Sequence, residues 1–165
     1  MKKLFLIRHA KSSWDHPDVP DFERPLNKRG KRDAPFMGNL LFKQKIKPDA
    51  IITSPAVRAL TTAEIFAKEL GYPKKKIIRD ENMYECGLGD LEDIVQSISD
   101  DFSTVLLFGH NPAITSYSNH LGNRYIDGLP TCAIVGIELN VDKWKKAERD
   151  KGNVFLFEYP KKYFR

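Results

Sequence analysis

Two histidines and two arginines stand where chemistry could be done. Arg8 and His9 close the apolar run Lys3-Leu4-Phe5-Leu6-Ile7. Arg58 follows Thr53-Ser54-Pro55, itself next to Asp49-Ala50-Ile51-Ile52, and His110 lies in Gly109-His110-Asn111-Pro112, directly after Thr104-Val105-Leu106-Leu107-Phe108. Runs that are apolar on both faces suit strands inside a parallel sheet covered by helices. Ligands of open α/β sheets bind beyond the carboxyl ends of the strands. The four side chains are therefore expected to converge on one cationic pocket, from three strand ends. A neutral imidazole in such a pocket can attack phosphorus in line. Guanidinium groups would hold the equatorial oxygens and offset the charge developing on them.

Each residue also has a plainer reading. A lone histidine at a strand end is usually structural, and Arg58 could pair with Glu64 or Glu81 on the surface. An arginine in a helix's first turn sits at the positive end of the macrodipole, where an anion would be held by both the guanidinium and the free N–H groups. The equivalent placement of His9, Arg58 and His110 favours that second reading. A metal site is disfavoured because no Asp, Glu or Cys accompanies the histidines at ligand spacing and two arginines would repel a cation. No metal or cofactor is expected. The attacking nitrogen must be unprotonated, so activity should fall as pH drops through the imidazole range. A backbone carbonyl near the loop after His9 is expected to take the other ring N–H.

These residues need a frame to hold them. Lys76-Ile77-Ile78-Arg79 is a fourth, shorter strand, and Ala133 to Leu139 and Val154 to Tyr159 read as two more, with a charged Val141 to Gly152 segment forming a short helix and turn between them. Ala59, Ala63, Phe66, Ala67 and Leu70 recur at helical spacing, and Gly71 stops that helix. Leu88, Leu91, Ile94 and Ile98 repeat the pattern. Asn27 is expected to cap a helix carrying Met37, Leu40 and Leu41, with Pro35 imposing a kink or a late start. Pro112 is suited to opening a further helix. The alternation predicts a three-layer α/β/α fold whose mostly parallel sheet ends in an antiparallel segment.

Length and composition agree with that frame. The 165 residues suit a single domain over 1–165, with 41% hydrophobic and 30% charged residues. No apolar stretch is long enough to span a bilayer or to act as a signal peptide, so no membrane association and a cytoplasmic location are expected. Cys86 and Cys132 match no zinc or redox spacing and are expected to be buried free thiols. The net charge of +5 is spread along the chain; Lys74-Lys75-Lys76 and Lys161-Lys162 read as solvated surface, and no nucleic-acid partner is expected. The sequence does not fix the oligomeric state; a monomer is favoured.

Taken in order, Arg8-His9-Ala10-Lys11-Ser12-x-Trp14, Arg24-Pro25-Leu26-Asn27-x-x-Gly30, Ser54-Pro55-x-x-Arg58-x-x-x-Thr62-Ala63 and Gly109-His110-Asn111-Pro112 resemble the histidine phosphatase superfamily, which includes phosphoglycerate mutases. The length and the opening segment resemble its short SixA-type phosphohistidine phosphatases. The resemblance runs from Lys3 to about Leu121. It implies a phosphoglycerate mutase-like fold with His9 as phosphate acceptor. Arg8, Arg58 and His110 would line the phosphate pocket, His110 donating a hydrogen bond to a phosphoryl oxygen. Arg24 would lie at the rim, with Asn111 a further phosphate-binding candidate. Ala10 stands where much of the superfamily has glycine. Larger members carry a general-acid glutamate after the third strand. Glu81 and Glu85 flank Tyr84 there, and spacing does not choose between them or between either and an exposed loop carboxylate.

The activity so implied is that of a metal-independent phosphatase with a phosphohistidine intermediate, acting on phosphohistidine or another phosphoprotein. A small-molecule phosphomonoesterase or mutase is the alternative, and a non-catalytic phospho-ligand-binding module is the alternative of another class. Only one helix and a turn fit between Arg58 and Arg79, which leaves no insertion to roof the pocket and favours bulky substrates.

Overall fold

The apolar runs become the inner strands of one sheet. The computed structural model describes residues 1–164. In it β1 (Lys2–Arg8), β2 (Ala50–Thr53), β3 (Ile78–Arg79), β4 (Thr104–Gly109), β5 (Ile134–Leu139) and β6 (Gly152–Glu158) lie in the order β3-β2-β4-β1-β5-β6. The β3-β2-β4-β1 portion is parallel, while β5 runs antiparallel to both β1 and β6. Helices α1 (Lys28–Lys43), α2 (Val57–Leu70), α3 (Leu88–Gln96) and α4 (Ala113–Leu121) supply the crossovers.

Successive strand side chains point to opposite faces, and each face has its own helices. Phe5 and Ile7 pack with Met37 and Leu41 of α1 and with Ala63 and Phe66 of α2. Leu4 and Leu6 share the other core with Leu91 and Val95 of α3 and with Ile114 and Tyr117 of α4. Burying each large apolar side chain contributes about 1.5–3 kcal/mol, whereas an exposed ion pair contributes about 0–1. Packing on both faces of the sheet, more than any surface contact, therefore fixes the strand ends that carry the site.

Local signals explain most element boundaries. Asn27 caps α1 by accepting from the Gly30 N–H, and Gly71 ends α2 at φ 69°. Three expectations change in detail. Helix α1 begins at once after its cap and runs unbroken past Pro35, so the late start is not seen. The fourth strand shrinks to Ile78–Arg79, because Lys74–Lys76 form a 3-10 turn after Pro73. In the charged segment before β6 the short helix is a 3-10 turn, Trp144–Lys146, with Trp144 fully buried. Among the described residues no helix is long and apolar enough to cross a membrane.

Candidate active site

Strand register places the chemistry. Arg8 pairs with Gly109 and Thr53 with Phe108, so β1, β2 and β4 end at the same level. Backbone bonds continue past the strands: the His9 N–H donates to Gly109 O (3.1 Å), and the Ser54 N–H to Phe108 O (3.0 Å). The result is a pocket of about 210 Å³ whose lining includes Arg8, His9, Arg24, Arg58, His110 and Asn111.

His9 is buried, and its Nδ1 lies 2.8 Å from Ala10 O. That carbonyl accepts only from a protonated Nδ1, which leaves the Nε2 lone pair free to attack. Burial lowers the His9 pKa to about 3; the Ala10 carbonyl works against this, while His110, Arg58 and Arg8 reinforce it. Burial likewise lowers His110 to about 4, with Arg58 adding to the effect. The two rings are 5.2 Å apart. His110 Nε2 is 2.8 Å from Ser54 Oγ, which also accepts from the Ala56 N–H (3.2 Å). If the Ser54 hydroxyl donates to Nε2, His110 carries its proton on Nδ1.

Thr62 ties the nucleophile loop to Arg58. Its hydroxyl accepts from the Ala10 N–H (3.0 Å) and donates to Arg58 O (2.7 Å). Arg8 is anchored through Nη1 to Leu129 O (3.0 Å), and its pKa is lowered by burial and then by Arg58. Five buried side-chain N or O atoms among the described residues lack a protein partner, and three belong here: Arg8 Nε, Arg58 Nε and His110 Nδ1. Buried polar groups are almost always paired. Three orphans in one cationic pocket mark donors suited to an anion.

The residue that sequence reasoning missed is Asp21. Its Oδ2 accepts from Arg58 Nη2 (3.0 Å) and the Tyr84 hydroxyl (2.7 Å), its Oδ1 accepts from Arg24 Nε (3.1 Å), and its backbone O accepts from Arg58 Nη1 (2.7 Å). Tyr84 does most to lower the Asp21 pKa to about 2, against a smaller opposing effect of burial, with Arg58 and Arg24 adding to Tyr84. Arg58 thus pairs with Asp21, not with the surface partners considered for it, and Glu64 lies 3.4 Å from Lys74 Nζ. The i,i+3 spacing of Asp21 and Arg24 was the one local signal for it.

The remaining candidates fall in different places. Arg24 is buried in the pocket wall, where Nη1 donates to Ser12 Oγ (2.7 Å) and Ser13 O (3.2 Å). Asn111 borders the pocket, but its amide is largely committed: Nδ2 donates to Leu129 O (3.0 Å) and Oδ1 accepts from Thr115 (2.7 Å). Glu81 opens a 3-10 turn and Glu85 has φ 56°; both are exposed, and neither borders the pocket. Ala10 is fully buried in the core shared with α1 and α2. The glycine at position 30 has a steric cause, since a Cβ there would lie 2.2 Å from Lys11 O.

A larger cleft, of about 460 Å³, lies between β3 and α3. Its floor is apolar, with Ile52, Ile78, Ile94 and Phe102, and it contains no histidine or arginine. Two of its carboxylates serve backbone N–H groups, Asp80 that of Asn82 and Asp90 that of Gly87. Volume and chemistry part company here.

A sheet of this order, with a histidine just past the end of its first strand and arginines around it, defines an α/β fold with a cationic pocket at its strand ends. Residues 4–106 match the model of the histidine phosphatase superfamily (branch 1), and the chain belongs to that family. An uncharacterized chloroplastic protein of Arabidopsis thaliana is 28% identical over 154 residues, covering 88% of this chain and 70% of that protein. The protein histidine phosphatase SixA, solved with tungstate, superposes with a TM-score of 0.83 at 22% identity, over 97% of this chain and 98% of that one. A mycobacterial glucosyl-3-phosphoglycerate phosphatase shares the fold at a TM-score of 0.68 and 13% identity, over 94% and 97%.

Proposed function

We propose that the chain is a phosphatase that passes a phosphoryl group from phosphohistidine, or another phosphoprotein side chain, to His9 and then to water, without a metal ion. The observation that carries this reading is the proton balance of the pocket. The nucleophile is held neutral, while the carboxylate at the rim, Asp21, is held ionised at a pKa of about 2 and already accepts three side-chain hydrogen bonds. Such a carboxylate is a poor proton donor. An alkoxide leaving group needs a proton, whereas an imidazole already protonated on its far nitrogen leaves as a neutral molecule.

In the first step the His9 Nε2 lone pair forms a bond to phosphorus as the bond to the leaving imidazole breaks, its electron pair staying on that nitrogen. Arg8 and Arg58 hold the phosphoryl oxygens, and His110 donates from Nδ1. In the second step water attacks phosphorus, the P–Nε2 bond breaks, and phosphate leaves with the water proton released. Glu81 and Glu85 have no part in this scheme. The SixA fold match supports it.

The test compares kcat/KM for a phosphohistidine peptide, an aryl phosphate, a phosphoserine peptide and 3-phosphoglycerate, each with and without EDTA. Phosphohistidine should be best and the alkyl phosphates worst, by about 10²-fold or more, the usual contribution of a general acid. EDTA should change nothing. Highest turnover on 3-phosphoglycerate, or a loss in EDTA restored by a divalent ion, would contradict the proposal; the first result would favour the metabolite-phosphatase reading.

A further inference from the structure

The motif residue with no role so far is Trp14. It borders the phosphate pocket and is 71% exposed. The other tryptophan, Trp144, is fully buried and donates its Nε1–H to Phe102 O (2.7 Å). An indole left in water beside a cationic pocket calls for a reason.

Trp14 is also held in place. The Arg24 guanidinium carbon lies 3.6 Å from its ring centroid, and Arg24 is fixed in turn by Ser12, Ser13 and Asp21. The backbone on either side is pinned: Ser12 bridges to Leu26, the Ser13 N–H donates to Pro25 O (2.8 Å), and the Asp15 N–H donates to Ser13 Oγ (3.1 Å). The guanidinium covers part of the ring, and most of the residue's surface stays open. In-line attack by His9 requires the leaving group to project away from His9, toward the mouth of the pocket. Of the residues bordering the pocket, Trp14 is the exposed aromatic, open to solvent on the side from which a leaving group would depart.

We infer that Trp14 is a stacking platform that selects substrates whose phosphoryl group leaves from a planar ring, such as the imidazole of phosphohistidine or an aryl oxygen. The inference rests on the phosphatase reading of the site and narrows its substrate class. Aromatic rings gain from offset stacking beyond the area they bury, and an imidazole ring protonated on its far nitrogen is also attracted to the negative face of an indole. A flat leaving group should gain about five- to tenfold in affinity from the contact. An alkyl group, with no face to present, should gain less.

Binding of two unreactive probes, phenylphosphonate and methylphosphonate, tests this without relying on turnover. The ratio of their dissociation constants, measured by calorimetry, should favour phenylphosphonate in the parent protein. Trp14→Ala should reduce that preference by about five- to tenfold, and Trp14→Phe should restore most of it. An unchanged ratio in Trp14→Ala, or a failure of Phe to rescue it, would overturn the inference. Acrylamide quenching of the parent's exposed indole gives a readout free of any folding defect. Phenylphosphonate should protect Trp14 more than methylphosphonate does, and equal protection would overturn the platform. If the parent protein fails to hydrolyse a phosphohistidine peptide, the functional proposal falls, while the phosphonate ratio still judges Trp14.

Discussion

The floor of the pocket and its rim are built in different ways. Arg8, His9 and His110 sit at or just past the ends of β1 and β4, and Arg58 sits in the first turn of α2, each braced by sheet registry and by packed helices. The rim residues Trp14, Asp21 and Tyr84 belong to connections, joined to one another and to the floor through Arg24 and Arg58. On the floor the notable atoms lack partners; at the rim nearly every polar atom named above has one. The difference separates the tasks: the rigid floor supplies the bond-making groups, and the networked rim governs what may approach them.

The sharpest way to break this division is to remove the floor's nucleophile. His9→Ala should lower kcat by about 10⁴-fold or more, the scale on which loss of a nucleophile is felt. Phosphate binding through Arg8 and Arg58 should survive, as inhibition of residual activity or calorimetry would show. Residual turnover near the parent's would place the nucleophile elsewhere. Arg58→Ala should cost about 10²–10³-fold in kcat/KM, the usual loss on removing one preorganised donor to a developing oxyanion. A smaller loss would mean that Asp21 keeps Arg58 out of the reaction.

The pH dependence probes the floor's electrostatics. His9 and His110 are lowered from 6.5 to about 3 and about 4. The acid limb of kcat/KM for the free enzyme should therefore fall near pH 3–4, below the ordinary imidazole range expected from the sequence alone. The stability effect has a definite sign. Between pH 6.5 and about 4 the unfolded chain binds protons that the folded chain refuses, so the melting temperature should drop as pH falls through that window. Substituting His9 by Asn should flatten that slope, and an unchanged slope would count against the lowered value.

The smallest expected effect belongs to the rim. Asp21 is half-exposed, and exposed ion pairs are weak and screened. Asp21→Asn frees Arg58 from a competing anion and should tighten inhibition by inorganic phosphate about two- to fivefold, less at high salt. Weaker phosphate binding would show that Asp21 serves mainly to hold Arg58 in position.

The floor was legible in the sequence because its residues lie at fixed offsets from doubly apolar strand runs, and such runs have few ways to fold. The backbone acceptor for His9 was legible for the same reason: a strand end at this level leaves Ala10 O nearby. The rim was not. Asp21 lies in a stretch of no particular period, and its partners Arg58 and Tyr84 are 37 and 63 positions away. Glu81 and Glu85 sit at the right place in the chain for an acid but outside the pocket. Tyr84 between them is the side chain that reaches Asp21, something only the tertiary fold reveals. Likewise Gly30 read as part of a motif, while its cause, the close approach of Lys11 O, needed coordinates.

The central claim, that His9 carries the phosphoryl group between substrate and water, is tested most directly by trapping it there. Labelled substrate mixed with enzyme, quenched within milliseconds and kept alkaline because phosphohistidine is acid-labile, should yield a labelled peptide containing Arg8 and His9. The label should appear at a rate no slower than turnover and be absent from His9→Ala. Label on another residue, or full turnover with no trapped label at any time, would contradict the account.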